Sequence, residues 1–255
     1  MCLTISPAML SKTYIANFSL SNNKDRVLYY QNSITNKSNS EYNVMLLAVD
    51  GTVNKVIDTT DTPNIITDIA KSISFVNQDE FVKSRGGFIS KGIEVKVEKV
   101  GMYTVYYSTD IRTLDTSIQY YDIKIPKMYI DFYQKHYKAG NYTFLAFVWE
   151  GDKPIDAQPI CIKYNSNSEL PYFPMVDGHD GGEIALNQYT DYDHTLLYNI
   201  TEGQARSLSS MQKTNSLILE QNVSNIIKYS VHESNGTSVK NNDYMMKGNE
   251  LVPVL

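Results

Sequence analysis

The stretch from Tyr142 to Glu150 constrains the fold of this chain more than any other. It carries Phe144, Leu145, Phe147, Val148 and Trp149, and aromatic and β-branched residues at that density make a strand that is central and buried. A central strand needs neighbours. Thr13 to Leu20, Arg26 to Ile34 and Asn43 to Val49 are apolar, β-branched or aromatic runs separated by polar turns such as Ser21-Asn22-Asn23-Lys24-Asp25, the pattern of an antiparallel meander. Asp50-Gly51 reads as a hairpin-type turn into a short strand, Val53 to Ile57. Ile93, Val95 and Val97 alternate with Glu94, Lys96 and Glu98 as in a half-exposed strand, and Val100 to Tyr107 adds another, interrupted by Gly101.

Two segments have helical spacing instead. Over 63–73, Thr62 is the expected N-cap and Pro63 the first helical residue, with Ile65, Ile66, Ile69, Ala70 and Ile73 on one stripe. Over 126–138, Pro126 opens a helix in which Met128, Tyr129, Phe132, Tyr133, His136 and Tyr137 recur at helical spacing. The expectation is therefore an α+β domain over residues 1–200. Its sheet is mainly antiparallel, meander- or sandwich-like, with both helices packed on the sheet that contains 142–150.

Beyond residue 200 the character changes. Gly203 to Ser230 has weak periodicity, Ser234 to Asn249 is polar and includes Lys240-Asn241-Asn242-Asp243, and the chain closes on Leu251-Val252-Pro253-Val254-Leu255. Residues 201–255 thus read as a partly flexible C-terminal extension. A polar spacer ending in a short apolar segment suits docking to a groove or sheet edge, which makes Leu251, Val252, Val254 and Leu255 the candidate partner-binding residues. A frayed tail and a strand tucked into its own domain are the alternatives.

Composition narrows the function classes. The net charge of −5, with no Lys/Arg cluster, argues against a general nucleic-acid-binding role. No apolar run reaches the roughly 18 residues of a membrane span, and no basic region with a following apolar stretch marks a leader, so the expected location is the cytoplasm. Cys2 and Cys161 are too few for a disulfide framework. Twenty tyrosines against one tryptophan fit AT-rich codon usage, and tyrosine also makes good binding surfaces, each ring giving contact area at little entropic cost.

The segment most like a site is Asp177-Gly178-His179-Asp180-Gly181-Gly182-Glu183, followed by Asp191-Tyr192-Asp193-His194. Imidazole and carboxylate are the ligands of Zn²⁺, Mn²⁺ and Fe²⁺, so Asp177, His179, Asp191, Asp193 and His194 are the candidate metal ligands. An extended chain would put Asp177 and His179 on one face and Asp180 on the other. The helix-loop-helix calcium pattern fails at His179 and Gln188, where it needs an oxygen ligand and a bidentate Glu. The competing expectation is a Gly/Asp-rich turn, with Gly178, Gly181 and Gly182 supplying turn conformations, Asp177 and Asp180 capping backbone groups, and His194 opening a strand through Tyr198.

Cys2 offers a second enzymatic idea, since loss of Met1 would expose an N-terminal thiol able to attack an amide while its own amine takes the proton. The continuation Leu3-Thr4-Ile5-Ser6-Pro7 lacks the glycine-bearing start of the glutamine amidotransferases. There is no Gly-x-Ser-x-Gly elbow, no phosphate-binding loop and no dinucleotide fingerprint. His136 lies on the aromatic face of its helix and His232 beside the polar tail.

Met1-Cys2-Leu3 with Ser6-Pro7, the strand Val27-Leu28-Tyr29-Tyr30-Gln31-Asn32, and His179-Asp180-Gly181 with Asp193-His194-Thr195-Leu196 resemble a family of uncharacterised bacterial and phage proteins over about residues 1–200. The Tyr- and Asn-rich composition is similar to that of large-genome bacteriophage proteins. The resemblance implies no particular activity. The expected function is non-enzymatic, with no cofactor: a phage-encoded adaptor whose partners are other proteins, such as a host factor or a cargo protein. The alternative is a hydrolase or metal-dependent enzyme using the 177–194 cluster or Cys2.

Overall fold

Strands that are apolar on both faces need a cover on each, and that requirement organises this chain. The structure, a computed structural model, describes residues 2–20, 24–37, 41–72, 95–151, 155–178, 181–190, 192–199, 226–232, 239–247 and 250–255. In chain order the strands are β1 (Cys2–Thr4), β2 (Ala8–Ser19), β3 (Asp25–Asn36), β4 (Tyr42–Ile57), β5 (Lys96–Val100), β6 (Tyr103–Ser108), β7 (Tyr142–Glu150), β8 (Ile155–Asp156), β9 (Ile160–Ser166), β10 (Tyr172–Phe173), β11 (Asp177–Gly178), β12 (Tyr189–Thr190), β13 (Asp193–Asn199), β14 (Ile226–His232), β15 (Val239–Lys240), β16 (Tyr244–Lys247) and β17 (Glu250–Pro253). The helices are α1 (Ile65–Ser72), α2 (Ile111–Ile118) and α3 (Lys127–His136), with a 3-10 turn at Gln119–Tyr121.

The large sheet runs β14-β13-β2-β3-β9-β4-β7-β6-β5, with β1 and β8 attached to β4 and β3. Its neighbours are antiparallel except β13 with β2 and, at the margin, β1 with β11. Two small sheets, β10-β16-β17 and β12-β15, complete the set. The fold is α+β with a mainly antiparallel sheet. It is not a meander, because β9 lies between β3 and β4. The reason is in β9 itself: Ile160, Ile162 and Tyr164 face one core and Cys161 another, so this strand needs an interior position.

Asp50-Gly51 is not a hairpin turn either. β4 runs straight through it, pairing with β7 up to Asp50 and with β9 from Gly51 onward, with a bulge between Val53 and Lys55. Gly51 has φ +133°, and a Cβ there would lie 2.0 Å from the Asn165 carbonyl oxygen, so only glycine lets β9 come this close. One strand therefore serves both halves of the sheet. Tyr103 in β6 shows how they are arranged. It stands three strands from β9 in the hydrogen-bonded order, yet its hydroxyl donates to the Gln158 carbonyl just ahead of β9 (2.9 Å), so the halves face each other.

The space between them is the inner core. Met45, Leu47 and Val49 of β4 meet Leu145, Phe147 and Trp149 of β7 there, with Leu28 and Tyr30 of β3. Alternate residues of the same strands, Val44, Leu46 and Ala48 with Phe144, Ala146 and Val148, face an outer core closed by α2 and α3. A third core lies under α1, where Ile65, Ile66, Ile69 and Ala70 cover Ala16, Phe18, Val27 and Tyr29. Residues beyond 225 contribute as well, since Val231, Tyr244 and Met246 belong to the inner core.

Several expectations need correction. Among the described residues there are three helices where the spacing suggests two: α2 is capped by Asp110, which accepts from the Arg112 amide (2.9 Å), and buries Ile111, Leu114 and Ile118. Helix α1 begins at Ile65, and the Thr62 hydroxyl makes no capping bond. In α3, Met128 lies at the surface while Tyr129, Phe132 and Tyr133 are buried. On β5 the polar face turns to the inner core: Glu98 accepts from the Tyr107 hydroxyl (2.5 Å), Lys96 Nζ lies 5.8 Å over the Tyr107 ring, and Val97 points to water. Ile73, Ile93 and Glu94 lie outside the described residues. No helix among the described residues is long and apolar enough to cross a membrane.

Phe147 is fully buried and packs edge-on against Tyr103 with centroids 5.7 Å apart. Phe147→Ala is expected to lower stability by about 3–5 kcal/mol, the cost of deleting a buried aromatic; a denaturant melt matching wild type would contradict the central position of β7. Burial also pushes the Tyr164 hydroxyl up to about 12 and those of Tyr29 and Tyr103 further. Unfolded tyrosine ionises near pH ~10. The folded state keeps these protons, so their contribution is intact below that value and is lost as pH rises through about 12, at about 1.4 kcal/mol per pH unit for each such tyrosine. In an alkaline titration, tyrosinate absorbance should rise cooperatively together with loss of far-ultraviolet circular dichroism. Ionisation of every tyrosine near pH ~10 with the fold intact would be the contrary result.

Candidate functional site

Asn241, Asn242 and Asp243, read from sequence as part of a polar spacer, are all buried. Asp243 has no exposed surface. One of its oxygens accepts from the hydroxyls of Tyr137 (2.6 Å) and Tyr172, the other from the amides of Met175 (2.8 Å) and Val176 (2.9 Å). Burial, followed by the charge of Asp243, holds the Tyr137 and Tyr172 hydroxyls well above their ordinary pKa. Asn242 Oδ1 accepts from the amides of Val254 (3.1 Å) and Leu255 (2.9 Å). Asn241 brackets Asp177, accepting from its amide (2.7 Å) and donating to its carbonyl (2.9 Å).

This triplet decides where the expected site residues lie. Of the three alternatives for the C-terminal residues, the chain adopts the strand tucked into its own domain. Leu251 and Val252 are half-buried in β17, Leu251 against the inner core, while Val254 and Leu255 pack on the outer core. Asp177 sits in β11 beside Cys2 of β1, and its backbone is held by Asn241. Gly178 serves close approach and not a turn, since a Cβ there would lie 2.2 Å from Leu3 Cδ2. His179, Asp180 and Asp191 lie outside the described residues.

Asp193 and His194 open β13. The Asp193 carboxylate accepts from the Lys12 amide (2.5 Å), where β2 bulges and Lys12 takes φ +53°. The His194 ring packs against Tyr192 (4.7 Å between centroids), with Nδ1 3.8 Å from Asp193 Oδ1. Among the described residues no three His, Cys, Asp or Glu side chains come close enough to hold a metal ion. His136 stacks on Phe132 at 4.9 Å, and burial, then Lys135, lowers its pKa. His232 pairs with Asp193 across β13 and β14, and the side chains of His232 and Cys2 lie outside the described residues. Burial pushes the Cys161 thiol up to about 12, far from a reactive thiolate. Near the Gly51 corner a buried Arg26 donates to Asn17 Oδ1 (3.4 Å) and the Glu169 carbonyl, and a buried Asp50 accepts from Ser166 and Asn167; burial lowers the first pKa and raises the second.

An open aromatic shelf lies elsewhere, where α2 runs into its 3-10 turn beside the start of β4. Glu41, Tyr42, Tyr120, Tyr121, Asp122 and Ile123 line a space of about 410 Å³. Tyr121 stands perpendicular to Tyr120 (5.2 Å, 88°) and tilted to Tyr42 (4.8 Å, 51°), and meets edge-on (6.4 Å) the ring of Tyr106, whose hydroxyl pKa is pushed up to about 12 by burial first and by the neighbouring Tyr121 second. The turn beneath is braced: the Asp122 amide donates to the Gln119 carbonyl (3.0 Å), and the Ile125 amide to the Asp115 carboxylate (2.7 Å). Tyr120 is 85% exposed. Tyrosine abundance was the only sequence signal for this shelf, and abundance does not locate it.

No family model matches the chain, and no curated protein does. Among solved structures it is similar to baculovirus P35, with a TM-score of 0.48 at 14% identity over 80% of this chain and 68% of that one. It is also similar to a mutated baculovirus P35 after caspase cleavage (0.46, 15%, 76% and 68%) and to the caspase-8/P35 complex (0.44, 15%, 76% and 65%). Likenesses with TM-scores below 0.5 leave fold and chemistry to be argued from this chain's own residues.

Removing the Asp243 carboxylate strands two hydroxyls and two amides in the interior. Asp243→Ala is expected to cost about 3 kcal/mol or more, each stranded buried donor costing about 1–3 kcal/mol, with Asp243→Asn in between. Equal melting temperatures for wild type and Asp243→Ala would show that this carboxylate does not hold the C-terminal strands in place.

Proposed function

We propose that this chain is a non-enzymatic protein-binding protein, acting on another protein of the cell in which it is made, and that it engages its partner through the shelf formed by Tyr42, Tyr120 and Tyr121. The exposure of Tyr120 on a braced turn carries this reading. A ring held out into water by a rigid base loses little conformational entropy when a partner covers it, and rigid aromatic anchors of this kind dominate the energetics of protein interfaces. The buried carboxylates of Asp243 and Asp50 serve the fold, so their chemistry supports architecture and not turnover.

The test immobilises the full chain as wild type, Tyr120→Ser and Tyr189→Ser, Tyr189 being a second exposed tyrosine on β12, and quantifies proteins captured from cells of its natural host. A partner held by wild type and Tyr189→Ser and weakened roughly thirtyfold in Tyr120→Ser, equivalent to about 2 kcal/mol, is the expected result. Equal capture by all three chains would refute the reading. Caspase-8, recorded with baculovirus P35 in one of the structures above, is a defined second analyte for the same three chains.

A further inference from the structure

The shelf on which the proposed function rests is chemically lopsided. Three tyrosine rings border one space, and the two charged side chains at its rim, Glu41 and Asp122, are both carboxylates. Among the described residues no Lys, Arg or His side chain lines it. Among the described residues neither carboxylate has an ion-pair partner. The face of an aromatic ring carries a negative quadrupole, so the rings and the carboxylates attract the same sign of charge.

We propose that the shelf receives the guanidinium of an arginine side chain projecting from the partner protein. This inference deepens the protein-binding reading and rests on it. Several observations favour arginine over other cations. The rings meet at 88° and 51°, so a flat cation can stack on one face while its edge meets another ring. A guanidinium is planar and weakly hydrated, and its fork of N–H donors pairs with a carboxylate while it stacks. An ammonium is a compact, strongly hydrated point charge and uses only the electrostatic part of the shelf. The space is open to solvent, which suits the tip of a side chain whose backbone stays outside, where a small free cation would find no enclosure. The edge-on contact of Tyr121 with Tyr106, 6.4 Å between centroids, and the braced turn beneath it hold Tyr121 in place before anything binds.

The experiment follows the Tyr120 and Tyr121 signals by nuclear magnetic resonance as the isotope-labelled full chain is titrated with three short peptides, identical except for a central arginine, citrulline or lysine. Citrulline keeps the shape of arginine without its charge. The arginine peptide is expected to shift both tyrosines, to bind about tenfold or more tighter than the citrulline peptide, and to bind tighter than the lysine peptide. Its binding should weaken as salt is raised and fall about tenfold in a Glu41→Gln/Asp122→Asn variant, both changes being at exposed positions that leave the cores untouched. Equal binding of the arginine and citrulline peptides, tighter binding of lysine, or arginine binding unchanged by Tyr120→Leu would each overturn the inference. The two proposals fail separately. Partner capture that depends on Tyr120 without arginine preference removes the ligand assignment alone, whereas arginine binding on the shelf with partner capture indifferent to Tyr120 removes the protein-binding reading.

Discussion

The corner at Gly51 is the constraint on which this architecture depends. β4 is apolar on both faces before the corner and pairs with a different strand after it, so one continuous backbone belongs to both halves of the sheet. The close approach of the Asn165 carbonyl leaves no room for a side chain at the bend. Because the halves then face each other, alternate residues of β4 and β7 line the inner core while the residues between them need covers on the outside. Helices α2 and α3 supply those covers, while α1 covers β2 and β3.

A second constraint is polar. Asn241, Asn242 and Asp243 place three hydrogen-bonding side chains where water does not reach: Asp243 and Asn241 satisfy backbone groups of residues 175–177, and Asn242 those of Val254 and Leu255. Buried polar groups that are fully paired fix one arrangement among many that hydrophobic contact alone would allow. The C-terminal strands are thereby joined to α3, to β10 and to the segment that looked most like a metal site. At its start, Asp177 and Gly178, the strands β1 and β11 and the triplet meet.

Local features of the fold were legible in the sequence, and distant ones were not. The unbroken apolar run of 142–150 and the helical stripes near 65 and 129 mark the elements that bury most, because burial on both faces of a strand or on one face of a helix is written into adjacent residues. Helix α2 carries an equally local signal: Asp110 is a good N-cap, and Ile111, Leu114 and Ile118 recur at helical intervals. The insertion of β9 between β3 and β4 leaves no local trace, since strand partnership is settled between residues more than a hundred positions apart. The same applies to Asp243. An Asp after two Asn reads as solvated until its donors, as many as 106 positions away, are known. Tyr120 and Tyr121 are neighbours of one residue type, and only the turn beneath them decides which ring faces water.

The position of Asp243 also governs when this chain can become native during its own synthesis. The two outer strands of the large sheet on one side are β13 and β14, and β13 pairs residue 194 with residue 13 of β2, so β2 waits for a partner made much later. The carboxylate that joins α3, β10 and the 175–176 amides is made later still. Contacts of such sequence separation form slowly and leave unpaired strand edges exposed in the meantime. A nascent chain halted before Asp243 carries the inner-core residues of β2 to β9 without the carboxylate that ties them to the C-terminal strands, so their final packing waits on segments made later.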